Sequence, residues 1–125
     1  MRLLLDSHIV VWWLGDPQRL APRAREAITD PANEVFLSAA SVWELGLKIA
    51  RGKLLMPGNF VSTLRQDGFS DLPVIVDHAE ASLRLPPHHA DPFDRLLIAQ
   101  AILENLVFVT RDTAIFDYDL PLLKG

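Results

Sequence analysis

Short apolar runs alternate along the chain with segments of helical periodicity, and this alternation restricts the fold more than any other feature. Five runs are predicted to be strands, at residues 3–5, 34–37, 72–76, 106–109 and 120–123, the last a short edge strand because it contains a proline. Helices are predicted at 8–14, 22–28, 59–66, 77–85 and 92–104, and a further one starts after Ser38 or Ser41 and ends before Gly52. Strands that alternate with helices form right-handed βαβ units. We therefore expect an α/β fold, a three-layer α/β/α sandwich with a central parallel sheet of four to five strands.

The composition indicates one globular domain over residues 1–125, with half of the residues apolar and 22% charged. Cysteine is absent, which excludes disulfides, thiolate metal sites and a cysteine nucleophile. Asp6 interrupts the N-terminal apolar stretch, and no run approaches the roughly 20 residues of a membrane span. We expect a cytoplasmic protein without a signal peptide. The net charge of −4 argues against a simple basic surface for nucleic acid.

Four acidic residues are predicted to meet at one edge of this sheet. Asp6 ends the first strand, Glu44 lies in the helix after the second strand, and Asp94 begins the helix before the fourth strand. Asp112 follows the fourth strand. The carboxyl end of a strand and the start of the next helix share one edge in a βαβ unit, and open α/β folds bind ligands there. Folding of the sheet does not require four carboxylates at that edge.

Such a group of carboxylates indicates a site for hard divalent cations. Close carboxylates repel one another and raise each other's pKa values unless cations intervene. Mg²⁺ or Mn²⁺ suits oxygen ligands, and two ions would balance four carboxylates. A pair of ions about 3.5–4 Å apart can support the hydrolysis of a phosphodiester. We therefore expect the four acids to be both metal ligands and catalytic residues.

Each acid taken alone also has a structural interpretation. Asp6 can cap the following helix, and Asp112 can cap a short segment after it. Glu44 completes a capping box if its helix starts at Ser41. Asp91 is a typical helix cap, followed by a proline and by a second aspartate that favours the helix dipole. The functional interpretation depends on all four acids meeting at one edge.

Other side chains carry weaker signals. His88 and His89 are more typical of a solvated loop than of a metal site, and His8 could contact either a phosphate or solvent. The three tryptophans are most simply core residues. Five cationic residues near the acidic edge could hold a nucleic-acid backbone, although scattered solvated charge is the simpler interpretation. They are Lys48, Arg51, Lys53, Arg95 and Arg111.

Four motifs occur in an order that resembles a known family. They are LLDSH at 4–8, SVWE at 41–44, DPFDRLLIAQA at 91–101 and VTRD at 109–112. Together they resemble the PIN-domain ribonucleases, in particular the VapC-type toxins of type II toxin–antitoxin modules. The similarity covers essentially the whole chain, and the long run from 91 to 101 is its most specific part.

The resemblance implies a PIN-like fold and an endoribonuclease that depends on Mg²⁺ or Mn²⁺. It implies in-line attack of water on an RNA phosphodiester, leaving 5′-phosphate and 3′-hydroxyl ends. Such toxins usually form homodimers and are held inactive by a cognate antitoxin protein that lies in a groove near the site. The implied metal ligands are Asp6, Glu44, Asp94 and Asp112, with Asp91 as an extra candidate. The residues expected to contact RNA are Ser7, Arg95 and Arg111.

Other functions stay open on the residues alone. A phosphoacceptor signalling domain would use Asp77 at the end of the third strand, with Thr110 and Lys124 nearby. That site needs paired acids after the first strand, where only Asp6 is present. A phosphatase with Asp6 as nucleophile usually carries a second aspartate two residues on, where this chain has His8. The last alternative is a binding module with the same fold and no catalysis.

Two further expectations concern partners. Trp12 and Trp13 are adjacent and point about 100° apart on a helix, so we expect their helix to contribute to a dimer or antitoxin surface. Of the 16 acidic residues, 12 remain when the four acids of the predicted site are set aside, which equals the number of lysines and arginines. The net negative charge of the chain is then attributed to the predicted site alone. We therefore expect RNA to bind weakly without metal, rather than not at all.

Overall fold

A parallel sheet of five strands in the order β3-β2-β1-β4-β5 forms the centre of the computed structural model, which describes all residues from Met1 to Gly125. The strands are β1 (Arg2–Leu5), β2 (Glu34–Ser38), β3 (Ser70–Leu72), β4 (Val107–Thr110) and β5 (Leu122–Lys124). The helices are α1 (Ser7–Gly15), α2 (Pro22–Thr29), α3 (Ala39–Ala50), α4 (Phe60–Gln66), α5 (Val76–Leu83) and α6 (Pro92–Leu103). None of these helices has both the length and the apolar character needed to cross a membrane.

Alternate residues of β1 face two separate cores. Leu3 and Leu5 pack in one core with side chains from α1 to α4, whereas Leu4 packs in the other with side chains from α6 and β4. All three leucines are buried, as expected when successive side chains of a strand point to opposite faces. A sheet with a core on each face is a three-layer sandwich, so the predicted fold is confirmed.

The strand order reverses beside β1. The chain adds β2 and β3 on one side of β1, then returns and places β4 and β5 on the other side. Every neighbouring pair of strands is parallel. The carboxyl ends of β1 and β4 therefore form a topological switch point, the place where open α/β sheets leave a crevice for ligands. Asp6 follows β1 and Asp112 follows β4 at this point.

Two predicted elements differ from the structure in ways that bear on function. The third strand spans Ser70–Leu72 instead of 72–76, and α5 begins at Val76. Asp77 is therefore an exposed residue in the first turn of a helix, not the last residue of a strand, and the phosphoacceptor interpretation loses its key acid. The helix α3 begins at Ala39, capped by Ser38, so the capping box predicted for Glu44 does not form.

Candidate active site

Asp6 anchors the site at the switch point between β1 and β4. It is the N-cap of α1, where its Oδ1 accepts the His8 N–H at 3.1 Å. Its Oδ2 accepts the Thr110 hydroxyl at 2.7 Å, which joins the ends of the two strands. The side chain is 4% exposed. Burial raises the pKa of Asp6 above its usual value, although both hydrogen bonds oppose the rise.

Glu44 reaches the same edge from the second turn of α3. It is buried, and its two carboxylate oxygens have different partners. The Ser7 hydroxyl donates to Oε1 at 2.7 Å, and the Lys48 ammonium lies 3.1 Å from Oε2. Ser7, one of the residues expected to contact RNA, therefore also orients an acid. Because α1 and α3 both start at this edge, two helix starts supply these groups.

Asp94 lies in the first turn of α6, where burial and neighbouring charges both act on its pKa. Burial and the negative charges of Asp6 and Asp91 raise the pKa of Asp94 to about 7, and Glu44 adds to the rise. His89 acts in the opposite direction, with its Nε2 at 3.1 Å from Asp94 Oδ2. The structure thus brings Asp94 into electrostatic contact with Asp6 and Glu44.

Asp112 joins the group through His89. Its Oδ1 caps the short 3-10 helix Thr113–Asp117 by accepting the Ala114 N–H, as the sequence predicts, and its Oδ2 lies 2.8 Å from His89 Nε2. Burial alone would raise the pKa of Asp112, but the hydrogen bonds from His89 and Ala114 bring it below its usual value. Asp112 is therefore ionised at neutral pH, and the His89 ring nitrogen Nε2 contacts both its Oδ2 and the Oδ2 of Asp94.

His89 was expected in a solvated loop, and the structure shows that this expectation is wrong. The side chain is 16% exposed, and its Nδ1 accepts the Asp91 N–H at 3.0 Å. Since Nδ1 accepts, the proton of the neutral ring is on Nε2, which donates to the two carboxylates. Burial opposes a charge on His89, but Asp112, Asp94 and Asp91 together raise its pKa. The two-residue spacing to Asp91 was the only local signal for this arrangement.

The donor set suits a hard divalent cation. One nitrogen and two carboxylate oxygens, from His89, Asp94 and Asp112, lie within 4.8 Å of one another. The Nε2 of His89 carries a proton, however, so it serves as a donor rather than as a ligand. The remaining candidates are carboxylate oxygens, which hard divalent ions prefer. Burial and the neighbouring acids raise the pKa of Asp94, and a cation bound among these carboxylates would act in the opposite direction.

Two arginines expected to contact RNA have other partners in the structure. Arg95 donates to the backbone oxygens of Ser82, Leu85 and Pro86, as well as to that of His89, and thereby fixes the segment between α5 and α6. Arg111 donates to the backbone oxygens of two distant residues, and its guanidinium lies 4.7 Å from the ring of Trp12. Their contribution to RNA binding stays a prediction.

The tryptophans differ in their surroundings. Trp13 is half-buried against Phe69 and donates to Asp67 at 3.2 Å, and Trp12 is half-buried beneath Arg19 and Arg111. Trp43 is 62% exposed, so the expectation that it is a core residue is wrong. The cause is its position next to Glu44, since neighbours on a helix point about 100° apart and Glu44 faces inward. A partner surface on α1 stays a prediction.

Comparison with known proteins supports one family. Residues 3–120 match the PIN domain family. The chain is 31% identical over 122 residues to ribonuclease VapC22 of Mycobacterium tuberculosis. The aligned region covers 95% of this chain and 93% of that protein. The fold of this chain is similar to that of a chain in the structure of VapBC2 from Rickettsia felis bound to a promoter DNA fragment. The TM-score is 0.74 at 17% identity, and 98% of each chain is covered. FitAcB from Neisseria gonorrhoeae gives a TM-score of 0.60 at 25% identity, over 98% of this chain and 96% of that chain.

Proposed function

The chain belongs to the PIN-domain family, and we propose that it is an endoribonuclease that hydrolyses RNA phosphodiester bonds with the help of divalent metal ions. The observation that carries the proposal is the convergence of Asp6, Glu44, Asp94 and Asp112 at the switch point, hereafter called the acidic site. A cation bound among these acids would favour the ionised form of Asp94, whose pKa is raised by burial and by the neighbouring carboxylates. The similarity to ribonuclease VapC22 supports RNA as the class of substrate.

In this proposal the four acids hold two ions of Mg²⁺ or Mn²⁺. When bound, such ions neutralise the carboxylates and stabilise the negative charge of a phosphodiester undergoing attack by water. The residues around the acids fix their positions. Thr110 orients Asp6, Ser7 and Lys48 orient Glu44, and the Nε2–H of His89 lies between the other two acids.

Pre-orientation of the ligands is the contribution of the protein itself. Every buried polar side-chain atom in the structure has a hydrogen-bond partner. Acids held in this way do not need to reorganise when substrate binds, and metal affinity depends on such outer partners by about 10–100-fold. We propose that residues 1–125 form one domain that carries the complete acidic site.

A direct test is cleavage of a single-stranded RNA with Mg²⁺ or Mn²⁺ by the wild-type chain and by Asp94→Asn. We expect cleavage by the wild type, none in excess EDTA, and a loss of at least about 100-fold in the variant, as when a group acting on developing charge is removed. Asp119→Asn, a change in an exposed acid that makes no side-chain hydrogen bond or ion pair, is the matched control and should cleave normally. Equal cleavage by Asp94→Asn, or by the wild type in EDTA, would contradict the proposal.

We also propose that the protein is the toxin of a toxin–antitoxin pair, works as a homodimer in the cytoplasm and is inhibited by a small antitoxin. The support is the kinship with VapC22, together with the resemblance of the four motifs to VapC-type toxins. The proposal predicts that the chain copurifies with the product of a short neighbouring reading frame and that this complex does not cut RNA. Full RNase activity in the complex would refute inhibition by that partner.

A further inference from the structure

A small cleft lies beside the acidic site and contains none of its carboxylates. It has a volume of about 240 Å³. Its polar lining consists of Ser7, His8, Lys48 and Lys53, and its apolar floor is formed by Val11, Leu45 and Leu54. We call it the lysine cleft. No aspartate or glutamate lines it, so its side chains carry positive charge only.

The end of helix α3 places both lysines on this cleft. Gly52 has a φ of 70°, the left-handed conformation that glycine adopts without strain, and it reverses the chain. The Lys53 N–H then donates to the Lys48 carbonyl oxygen at 2.9 Å, and the Gly52 N–H donates to the Ile49 carbonyl oxygen at 3.1 Å. These two bonds form a Schellman motif. Lys53 is thus brought back beside Lys48 by the backbone rather than by a flexible loop.

The lysine cleft and the acidic site share one wall. Ser7 and Lys48 line the cleft, and the same two side chains bind opposite oxygens of Glu44, at 2.7 Å and 3.1 Å. A ligand in the cleft would therefore lie directly beside a group held at the acidic site. The lysine cleft cannot hold a cation with these residues, whereas an anion suits it.

Lys53 is the free charge of the cleft. It is exposed, and its ammonium makes no ion pair or side-chain hydrogen bond. Lys48 is half-buried and partly neutralised by Glu44. Arg51 is also exposed and unpaired, and it lies only two residues before Lys53, yet it does not line the cleft. A comparison of variants at Lys53 and Arg51 therefore distinguishes the effect of a positive charge in the cleft from that of one beside it.

We propose that the lysine cleft binds a phosphate of the RNA next to the one that is cleaved. This inference rests on the proposed function, because the acidic site would hold the scissile phosphate on the other side of Glu44. A polynucleotide carries a phosphate at every step, so one that is bound at the acidic site presents a second phosphate to the adjoining surface. The apolar floor suits the sugar of that nucleotide. The cleft would fix the direction of the strand across the site.

The test measures how the binding of RNA depends on salt. A labelled single-stranded RNA of mixed sequence is titrated with the Asp94→Asn chain, which we expect to bind the RNA without cutting it. The Mg²⁺ concentration is fixed and the NaCl concentration is varied. Each phosphate contact contributes about −0.7 to the slope of log K against log salt for single strands. We expect Lys53→Gln to make the slope less negative by about 0.7. Lys53→Arg, which keeps the charge, and Arg51→Gln, the matched control, should keep the original slope.

A kinetic measurement gives a second readout in the otherwise wild-type chain. A phosphate contact made equally in the ground state and the transition state acts on KM and leaves kcat unchanged. We expect Lys53→Gln to raise KM several-fold relative to Arg51→Gln, with similar kcat values. A normal unfolding transition of Lys53→Gln would establish that the fold is intact.

The outcomes separate this inference from the proposed function. If the wild type cleaves RNA while Lys53→Gln matches Arg51→Gln in slope and KM, the lysine cleft is not a phosphate site. If the salt slope responds to Lys53→Gln but the wild type cleaves no RNA, the cleft is supported and the ribonuclease proposal fails. Failure of the Asp94→Asn chain to bind RNA at any salt concentration would overturn the cleft as well.

Discussion

Replacement of Asp94 by asparagine is expected to stabilise the metal-free protein at alkaline pH. Burial, together with the charges of Asp6 and Asp91, raises the pKa of Asp94 from 3.8 to about 7. At about 1.36 kcal/mol per pKa unit, ionising this carboxyl in the folded state costs at most about 4 kcal/mol of stability. The side chain is 15% exposed, and water that reaches it reduces this cost, so we expect about 2–4 kcal/mol.

The sign of the pH dependence follows from the two pKa values. The unfolded chain releases the Asp94 proton near pH 3.8, whereas the folded protein keeps it until about pH 7. The folded state therefore binds more protons in this range, and its stability falls as the pH rises from about 4 to 7. Asparagine does not ionise, and its amide oxygen can still accept the Nε2–H of His89. The advantage of Asp94→Asn should be complete above pH 7 and should shrink toward pH 5.

Urea unfolding in EDTA at several pH values between 5 and 8 measures this difference directly. Asp119→Asn removes one exposed acid without a hydrogen bond or ion pair and serves as the control for the change in net charge. We expect the control to follow the wild type at every pH. An Asp94→Asn chain that is no more stable than the wild type at pH 8 would refute the account in which burial and neighbouring charges make the ionised Asp94 costly.

Three further predictions concern metal binding and the support of the site. Millimolar Mg²⁺ should raise the Tm of the wild type at pH 8, because binding of a ligand to the folded state adds to its stability. The Tm of Asp94→Asn should rise less, because this variant lacks one proposed metal ligand. Thermal unfolding with Mg²⁺ and with EDTA measures both values. Ser38→Ala should cost about 2–4 kcal/mol in urea unfolding, because Ser38 caps α3 and donates to the buried Gln100 side chain at 2.5 Å. Arg95→Gln should cost about 2–3 kcal/mol and speed limited proteolysis between α5 and α6, because the carbonyl oxygens there lose their donor.

The sheet could be predicted where strands are fully buried. The apolar runs at 3–5, 34–37 and 106–109 correspond within one residue to β1, β2 and β4, because strands covered on both faces need apolar side chains throughout. The edge strand β3 was misplaced toward 72–76, where β-branched residues follow Pro73. At an edge, register is set by pairing with β2, and the residues that pair are Ser70 to Leu72. Local propensity contains no information about that pairing.

The acids of the site could also be placed from sequence, because each is tied to a strand end or a helix start that is visible locally. His89 could not, since its approach depends on the segment between α5 and α6. That segment is held by Arg95 and by Tyr118, whose hydroxyl accepts the His89 N–H at 3.0 Å. The lysine cleft has the same limitation, because its second lysine reaches the first only through the positive φ of Gly52.

Capping and catalysis are not alternative roles for these aspartates. Asp6 and Asp112 each use Oδ1 to cap a helical segment and present Oδ2 to the switch point. A helix start lies at the ligand-binding edge of a βαβ unit, so a cap is also the position from which a side chain reaches that edge. Serine caps as well as aspartate does, as Ser38 does for α3, without burying a charge. The need for a helix cap therefore explains a polar residue at position 6, and only the chemistry of the edge explains why this buried residue is an acid.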